Sequence, residues 1–147
     1  MKNIDRFNLY TAHIFAKLYE DFPIARVIDE PDIVRAVALQ KEQGESETDQ
    51  NNLVRHSINW LEKTGYLRLM QDNPDAPKRY TLSPKAFEAL AANTPDELRE
   101  TSTSETHTAG EALMNWVKQA GSDIATEART QFATQFVAFI IGWIFSK

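Results

Sequence analysis

Residues 48–65, TDQNNLVRHSINWLEKTG, are the stretch that decides the predicted fold. They open with helix-capping residue types and close on Gly65, a usual helix stop. Apolar side chains recur at the spacing that puts them on one side of a helix: Leu53, Val54, Ile58 and Leu61. The other side carries amide and cationic groups: Asn52, Arg55, His56, Asn59 and Lys63. The stretch therefore predicts an amphipathic helix whose polar face suits either a DNA groove or plain solvent.

Two further helices and a short strand are predicted before this stretch. Residues 4–20 show a wide apolar face and end before Pro23, because the residue preceding a proline disfavours the helical region. Residues 31–43 follow, with proline at the favoured first helical position. Alternating apolar and polar residues at 24–29 predict the strand between them. His13 has no second ligand at metal-binding spacing, so a structural or surface role is expected.

A β-hairpin and a fourth helix are predicted after Gly65. Residues 66–70 and 79–82 have the composition of strands, and residues 71–78, QDNPDAPK, have that of a connecting loop. Ser83-Pro84 then provides a cap and a first-turn proline for the next helix.

This order of elements resembles the winged-helix domains of bacterial regulators of the MarR-like and PadR-like groups. The resemblance rests on the order helix, short strand, helix, helix, hairpin, helix, and on WLEKTGYLRL (60–69) and YTLSPKAFEAL (80–90). It covers residues 4–92 and implies that residues 48–64 are a recognition helix and 71–79 a wing. We expect a mainly α protein with a small β-hairpin (α+β), with the winged helix-turn-helix domain at residues 1–93.

The resemblance implies a DNA-binding surface formed by the polar side of the recognition helix and by the wing. The expected contact residues are Asn52, Arg55, His56, Asn59, Lys63, Arg68, Lys78 and Arg79. Arginine and asparagine suit base edges, and the other cations suit phosphates. The charge departs from the family's usual basic pattern: residues 49–64 carry two basic and two acidic groups, and residues 66–82 three basic and two acidic. A winged helix that binds protein is therefore the alternative.

The rest of the chain is predicted to be a linker followed by a helical segment. Residues 94–108 contain a capping-box pattern at Thr94 and then the hydroxyl-rich TSTSETHT, which suits a linker with one short capped turn. Helix is expected from Ala109, capped by Thr108, with a break at Gly121-Ser122. A large apolar stripe then repeats with a period near four residues and includes Phe132, Phe136, Phe139, Ile140, Trp143 and Ile144.

Three arrangements are open for this C-terminal segment, residues 109–147. Residues 136–145, FVAFIIGWIF, are too few to span a bilayer, which takes about twenty apolar residues. The segment could fold back on the domain, form a homo-oligomer or dock to another protein, or make peripheral contact with a membrane. Self-association or docking through the stripe is the prediction, since an exposed stripe of this kind needs a cover.

Composition narrows the function classes. The 147 residues carry a net charge of −5 and no cysteine, and the N-terminus lacks the apolar core of a secretory signal, so a cytoplasmic protein is expected. Glycine-rich phosphate loops, nucleophile elbows and zinc-binding helix motifs are not found in the sequence, and its three histidines lie on separate predicted elements. We expect no enzymatic activity, no metal and no cofactor. The predicted function is a self-associating, DNA-binding transcriptional regulator. The alternative is a non-enzymatic adaptor whose winged helix binds protein and whose apolar C-terminal segment docks to a complex or a membrane.

Overall fold

The protein is mainly helical with one small antiparallel hairpin, as predicted. A computed structural model describes residues 2–37, 46–71, 73–94, 108–119 and 126–146. The elements are α1 (Asn3–Asp21), α2 (Glu30–Val37), α3 (Glu47–Lys63), β1 (Leu67–Gln71), β2 (Arg79–Leu82), α4 (Pro84–Ala91), α5 (Ala109–Gln119) and α6 (Thr126–Ser146). The α+β class is confirmed, and the arrangement is compatible with a winged helix.

Helix α1 lies at the centre of the molecule and contacts α2, α3, α5, α6 and β2. Its apolar face is buried as expected, with Tyr10, Ile14 and Phe15 almost without solvent exposure. Ile4 departs from that expectation, because its side chain is 58% exposed at the N-terminal end of the helix. The helix ends at the predicted place, one residue before the cis Phe22–Pro23 peptide bond.

The predicted strand at residues 24–29 is wrong. Only Arg26 pairs with the hairpin, through two backbone hydrogen bonds of 2.8 Å to Tyr80. A turn holds the residues before it, since the Ile24 N–H donates to the carbonyl of Asp21, and α2 already begins at Glu30. Between this turn and the start of α2, only one residue pairs with the hairpin. Helix α2 is confirmed up to Val37, and the remainder of the predicted helix, residues 38–43, lies outside the described residues.

Local sequence signals define both ends of α3. The Ser46 hydroxyl accepts from the backbone N–H of Asp49, whose carboxylate accepts from the Ser46 N–H, a reciprocal capping box. At the other end Gly65 takes a φ of 90°, and the Tyr66 N–H donates to the Leu61 carbonyl at 2.9 Å. This is the Schellman arrangement, which favours glycine. The predicted buried stripe is confirmed at Val54, Ile58 and Leu61, and Leu53 is half-buried.

The hairpin follows α3 immediately and returns the chain to the core. Strands β1 and β2 pair antiparallel with Leu67 opposite Leu82, and a bulge interrupts the register between Leu69 and Gln71. Strand β2 has the predicted bounds, and β1 begins one residue later than predicted. Ser83 caps α4 by accepting from the Ala86 N–H at 3.2 Å.

The C-terminal helices fold back onto the first part of the chain, one of the three arrangements open from the sequence. Helix α6 packs against α1 and α4, and α5 packs against the same two helices. The buried residues Phe132, Phe136 and Ile140 join one continuous hydrophobic core with α1. These three are covered within the chain and need no partner, whereas Phe139 and Trp143 are half-buried and the side chain of Ile144 lies outside the described residues. Self-association through the stripe stays a prediction.

The region between α4 and α5 is described only at its ends. Residues 95–107, which hold the predicted capped turn and most of the predicted linker, lie outside the described residues, as does the predicted break at residues 121–122. The flanks meet, because Asn93 forms a bridge with Thr108 and the Ala109 N–H donates to the Ala92 carbonyl at 3.0 Å. The predicted Thr108 cap is present, with its hydroxyl accepting from the Glu111 N–H at 3.1 Å.

Helix α6 is also tied to α2 by a polar contact. The Arg129 guanidinium donates to the carbonyl of Val37, the last described residue of α2, at 3.0 Å. Across the described ranges, no helix combines the length and the apolar character needed to cross a membrane.

Candidate nucleic-acid interface

Helix α3 displays the predicted polar residues because its opposite side is anchored in the core. Arg55, His56, Asn59 and Lys63 are exposed, and Asn52 is half-exposed. Their positions follow from burial of the apolar stripe, since residues half a turn away must point outward. The structure therefore places all five predicted α3 residues at the surface.

This polar face is divided between two grooves. The hairpin groove, a cavity of about 370 Å³ between α3 and the hairpin, is lined by Glu30, Arg55, Ile58, Asn59, Lys78 and Tyr80 among others. His56 lies instead on a second groove, on the other flank of α3. The structure thus brings Arg55, Asn59 and Lys78 together and separates His56 from them.

Arg55 is held in place within the hairpin groove by two side chains. Its Nε donates to Glu30 Oε1 at 2.7 Å, and its Nη1 donates to Asn52 Oδ1 at 3.4 Å. The Arg55 side chain is 61% exposed and that of Glu30 is 25% exposed. Arg55 is the one arginine of α3, so the helix presents its strongest base-reading group already paired with a carboxylate.

The hairpin supplies the less compensated positive charge. Arg68, Lys78 and Arg79 are all exposed on or beside the strands. In the turn between the strands, the Asp75 backbone N–H donates to Asn73 Oδ1 at 3.0 Å. The hairpin can therefore offer contacts to phosphate oxygens.

Acidic residues flank the interface on the side of α2 and of the α3 N-terminus. Glu30 and Asp32 lie in the first turn of α2, and Glu47 and Asp49 in the first turn of α3. Acids at these positions stabilise helix N-termini. Over residues 29–82 the chain carries seven basic and ten acidic side chains. A polyanion that binds this surface would therefore find favourable charge only at individual basic side chains, not across the whole surface.

The second groove is apolar and was not expected from the sequence. This α1–α3–α6 groove has a volume of about 520 Å³ and is lined by Ile4, Phe7, Leu53, His56, Trp60 and Ile141 among others. Trp60 is 44% exposed, with its ring stacked on Tyr66 at 5.7 Å and edge-on to Phe7 at 5.4 Å. The sequence feature that could have indicated this groove is Trp60, a large aromatic residue on the polar side of α3.

His13 lies in the core, in keeping with a structural role. Its side chain is buried, with the ring 5.0 Å from that of Trp116. Burial, and then the nearby Arg129 guanidinium, lower the pKa of His13 to about 4, so the ring is neutral at pH 7. Among the residues that the structure describes, no cluster of three or more histidine or carboxylate side chains could hold a metal ion.

Comparison with known proteins leaves the family open. No protein-family model, no curated protein and no solved structure matches this chain.

Proposed function

We propose that the protein binds double-stranded DNA selectively, through α3 and the hairpin, as a regulator of the MarR-like or PadR-like kind. The observation that carries this proposal is the hairpin groove, which has Arg55 and Asn59 on its helix side and Lys78 on its hairpin side. A helix with arginine and amide groups is suited to read base edges in the major groove. An adjacent basic hairpin is suited to bind the flanking backbone.

The groove also suggests how the duplex would sit. With α3 in the major groove, the phosphate strand bordering that groove would pass between helix and hairpin, close to Lys78. Asn59 and Asn52 would then face adenine edges, and Arg55 a guanine edge, the pairings that their geometry favours. Arg68 and Arg79 would meet neighbouring phosphates.

The acidic flanks imply weak binding to arbitrary DNA. Non-specific affinity comes almost entirely from neutralised phosphates, and residues 29–82 carry more acidic than basic side chains. Selectivity would then depend on base contacts made by α3. At moderate salt the selected duplex should therefore bind with clearly higher affinity than a random duplex.

The test is selection of duplexes from a random pool, followed by affinity measurements over a range of salt concentrations. We expect Arg55→Ala to weaken binding of the selected duplex by about tenfold or more, because one bidentate base contact contributes about 1–3 kcal/mol of discrimination. Lys78→Ala should weaken selected and unselected duplexes alike and reduce the salt slope by about one.

Lys118→Ala serves as the matched control, because it removes an exposed cation on α5, away from the hairpin groove. It should leave both affinities near those of the unaltered protein. If the pool yields no preferred duplex and binding does not depend on salt, the proposal is rejected.

Self-association is part of the proposal, because regulators of this kind commonly read two half-sites as dimers. The half-buried rings of Phe139 and Trp143, 6.0 Å apart on α6, are the predicted interface residues that remain partly accessible. Light scattering should give a mass above that of one 16.8 kDa chain, and Trp143→Ala should reduce it. A monomeric mass for the unaltered protein would remove this part of the proposal.

The α1–α3–α6 groove favours a second candidate, an adaptor that binds an apolar segment of another protein. Ile4 and Trp60 are large apolar side chains that remain exposed beside it. Aromatic side chains of this kind dominate the energy of many protein interfaces.

A display library of random peptides distinguishes the two candidates. An adaptor should enrich peptides with apolar residues at helical spacing, and Trp60→Ala should abolish their binding while Arg55→Ala leaves it unchanged. If no peptide is enriched, or if enrichment is insensitive to Trp60→Ala, the adaptor candidate falls.

A further inference from the structure

We propose that Glu30 is a positioning residue that orients Arg55 for base recognition, an inference that rests on the proposed DNA-binding function. Glu30 belongs to α2 and Arg55 to α3, yet the carboxylate and the guanidinium meet at 2.7 Å in the hairpin groove. The pair therefore joins the two helices at the point where α3 would face DNA.

The geometry determines which donors of Arg55 are already engaged. Nε donates to Glu30, and Nη1 makes the longer contact with Asn52 at 3.4 Å. The guanidinium is planar, so fixing Nε fixes the direction of the remaining donors. An end-on pair of Nη donors is one geometry in which arginine binds two acceptors on a guanine edge.

A simpler role for Glu30 is that of a first-turn acid that stabilises α2 through the helix dipole. Asp32 fills that role equally well, since it lies in the same first turn and pairs with Arg35 of its own helix. Glu30 differs in that its partner lies 25 residues away and its side chain is the less exposed of the two acids, at 25% against 51%. The dipole alone does not account for that contact.

Glu30 would affect DNA binding in two opposite ways, through its negative charge and through its hold on Arg55. These two effects can be told apart by comparing a selected with an unselected duplex. The negative charge of Glu30 repels any duplex, whatever its sequence. Its hold on Arg55 benefits only a duplex that presents the matching base edge. Loss of the carboxylate should therefore strengthen non-specific binding and weaken specific binding together.

Asp32→Ala is the matched control for Glu30→Ala, because it removes the same charge and a first-turn acid from the same helix. Affinities for the selected and an unselected duplex are measured at equal salt for both variants. Glu30→Ala should reduce the ratio of selected to unselected affinity by about fivefold or more, the discrimination that one base contact supplies. Asp32→Ala should raise both affinities and leave the ratio unchanged. Glu30→Gln, which keeps an acceptor oxygen, should restore part of the ratio.

A measurement without DNA checks the contact itself. In an NMR spectrum of the unaltered full chain, the Arg55 Nε–H should exchange slowly with solvent, and Glu30→Ala should make it exchange quickly. Asp32→Ala should leave that exchange unchanged. Fast exchange in the unaltered protein would overturn the inference, because the hydrogen bond would then not hold Arg55.

The outcomes separate this inference from the function on which it rests. If Glu30→Ala and Asp32→Ala give the same ratio while the unaltered protein still prefers its selected duplex, the positioning role is rejected and the DNA-binding proposal stands. If the unaltered protein prefers no duplex, the DNA-binding proposal is rejected and the positioning role is rejected with it.

Discussion

The contact of α1 with α6 and the outer face of α3 are two helical surfaces with opposite composition. Where α1 meets α6, aromatic side chains such as Phe15 and Phe136 pack with ring centres 6.0 Å apart and almost no solvent exposure. On α3, Arg55 and Asn59 are exposed to solvent, and Arg55 is paired with Glu30. We expect the α1–α6 contact to supply stability and, under the proposed function, the α3 face to supply recognition, so substitutions should separate the two properties.

The largest effect is expected in the interior contact. Phe136→Ala should lower the free energy of unfolding by about 3–5 kcal/mol, because it leaves a cavity beside Phe15 and Phe132. Phe139→Ala, at a half-buried position of the same helix, should cost less. Denaturant titration of both variants measures this. Equal losses would mean that the two rings are equally exposed in solution and that α6 does not pack as described.

The next effect is the dependence of stability on pH, which should come from the buried His13 and not from the exposed His56. The pKa of His13 is about 4 in the folded protein against 6.5 in the unfolded chain, so the unfolded chain binds more protons between these pH values. Stability from this group is therefore fully present above about pH 6.5 and is lost as the pH falls toward 4. One unit of difference between the folded and unfolded pKa corresponds to about 1.4 kcal/mol, so protonation of His13 should lower the free energy of unfolding by about 3 kcal/mol.

His13→Gln should make the free energy of unfolding less dependent on pH over this range. Denaturant titrations at several pH values measure the difference from the unaltered protein. His56→Gln is the matched control, since that side chain is exposed on α3, and it should leave the profile as it is. A His13→Gln profile that runs parallel to the unaltered one would contradict the buried, neutral state of His13.

A pair of glycine substitutions tests how closely α5 approaches α1. A Cβ on Gly110 would lie 2.5 Å from ring atoms of Tyr19, whereas a Cβ on Gly142 of α6 would meet nothing within 4 Å. Gly110→Ala should therefore cost about 1–3 kcal/mol through overpacking. Gly142→Ala should stabilise by up to about 1 kcal/mol, because alanine favours helix. Thermal melts compare the two, and a stabilising effect of Gly110→Ala would show that Tyr19 moves aside.

The smallest effect concerns the start of α3. Ser46→Ala removes the hydroxyl that accepts from the Asp49 N–H, at an expected cost of about 1 kcal/mol. Thr48→Ala, two residues further along the chain and exposed, is the control and should cost less. Hydrogen exchange should show faster opening of the first turn of α3 in Ser46→Ala alone. Unchanged exchange there would mean that the cap contributes little.

Local signals made much of the fold predictable. The apolar spacing that ends at Leu61, the cap at Ser83 and the positive φ at Gly65 each depend on neighbours within a few residues, and all three are found. The absence of a strand at residues 24–29 was not predictable in this way. A strand needs a partner over several residues, and the hairpin offers Arg26 only one, at Tyr80.

The candidate site was predictable as a set of exposed residues but not as an arrangement. Periodicity along α3 is enough to expect Arg55 and Asn59 at the surface. It does not indicate that Lys78 joins them, that His56 faces another groove, or that Glu30 reaches Arg55. The contacts of Lys78 and Glu30 depend on how the hairpin and α2 pack beside α3, and the position of His56 depends on α1 and α6.

The sequence by itself determined most of the described helices, the caps at Ser83 and Thr108, the hairpin and the two-sided character of α3, because these follow from interactions between residues close in the chain. Tertiary structure alone decided that Phe132, Phe136 and Ile140 of the C-terminal stripe are buried in the core with α1. The physical reason is that hydrophobic burial has no direction: an apolar stripe must be covered, but its spacing does not say by what. The same holds for the Arg55 guanidinium. Its charge favours an acceptor nearby, but only the tertiary structure shows that this acceptor is Glu30.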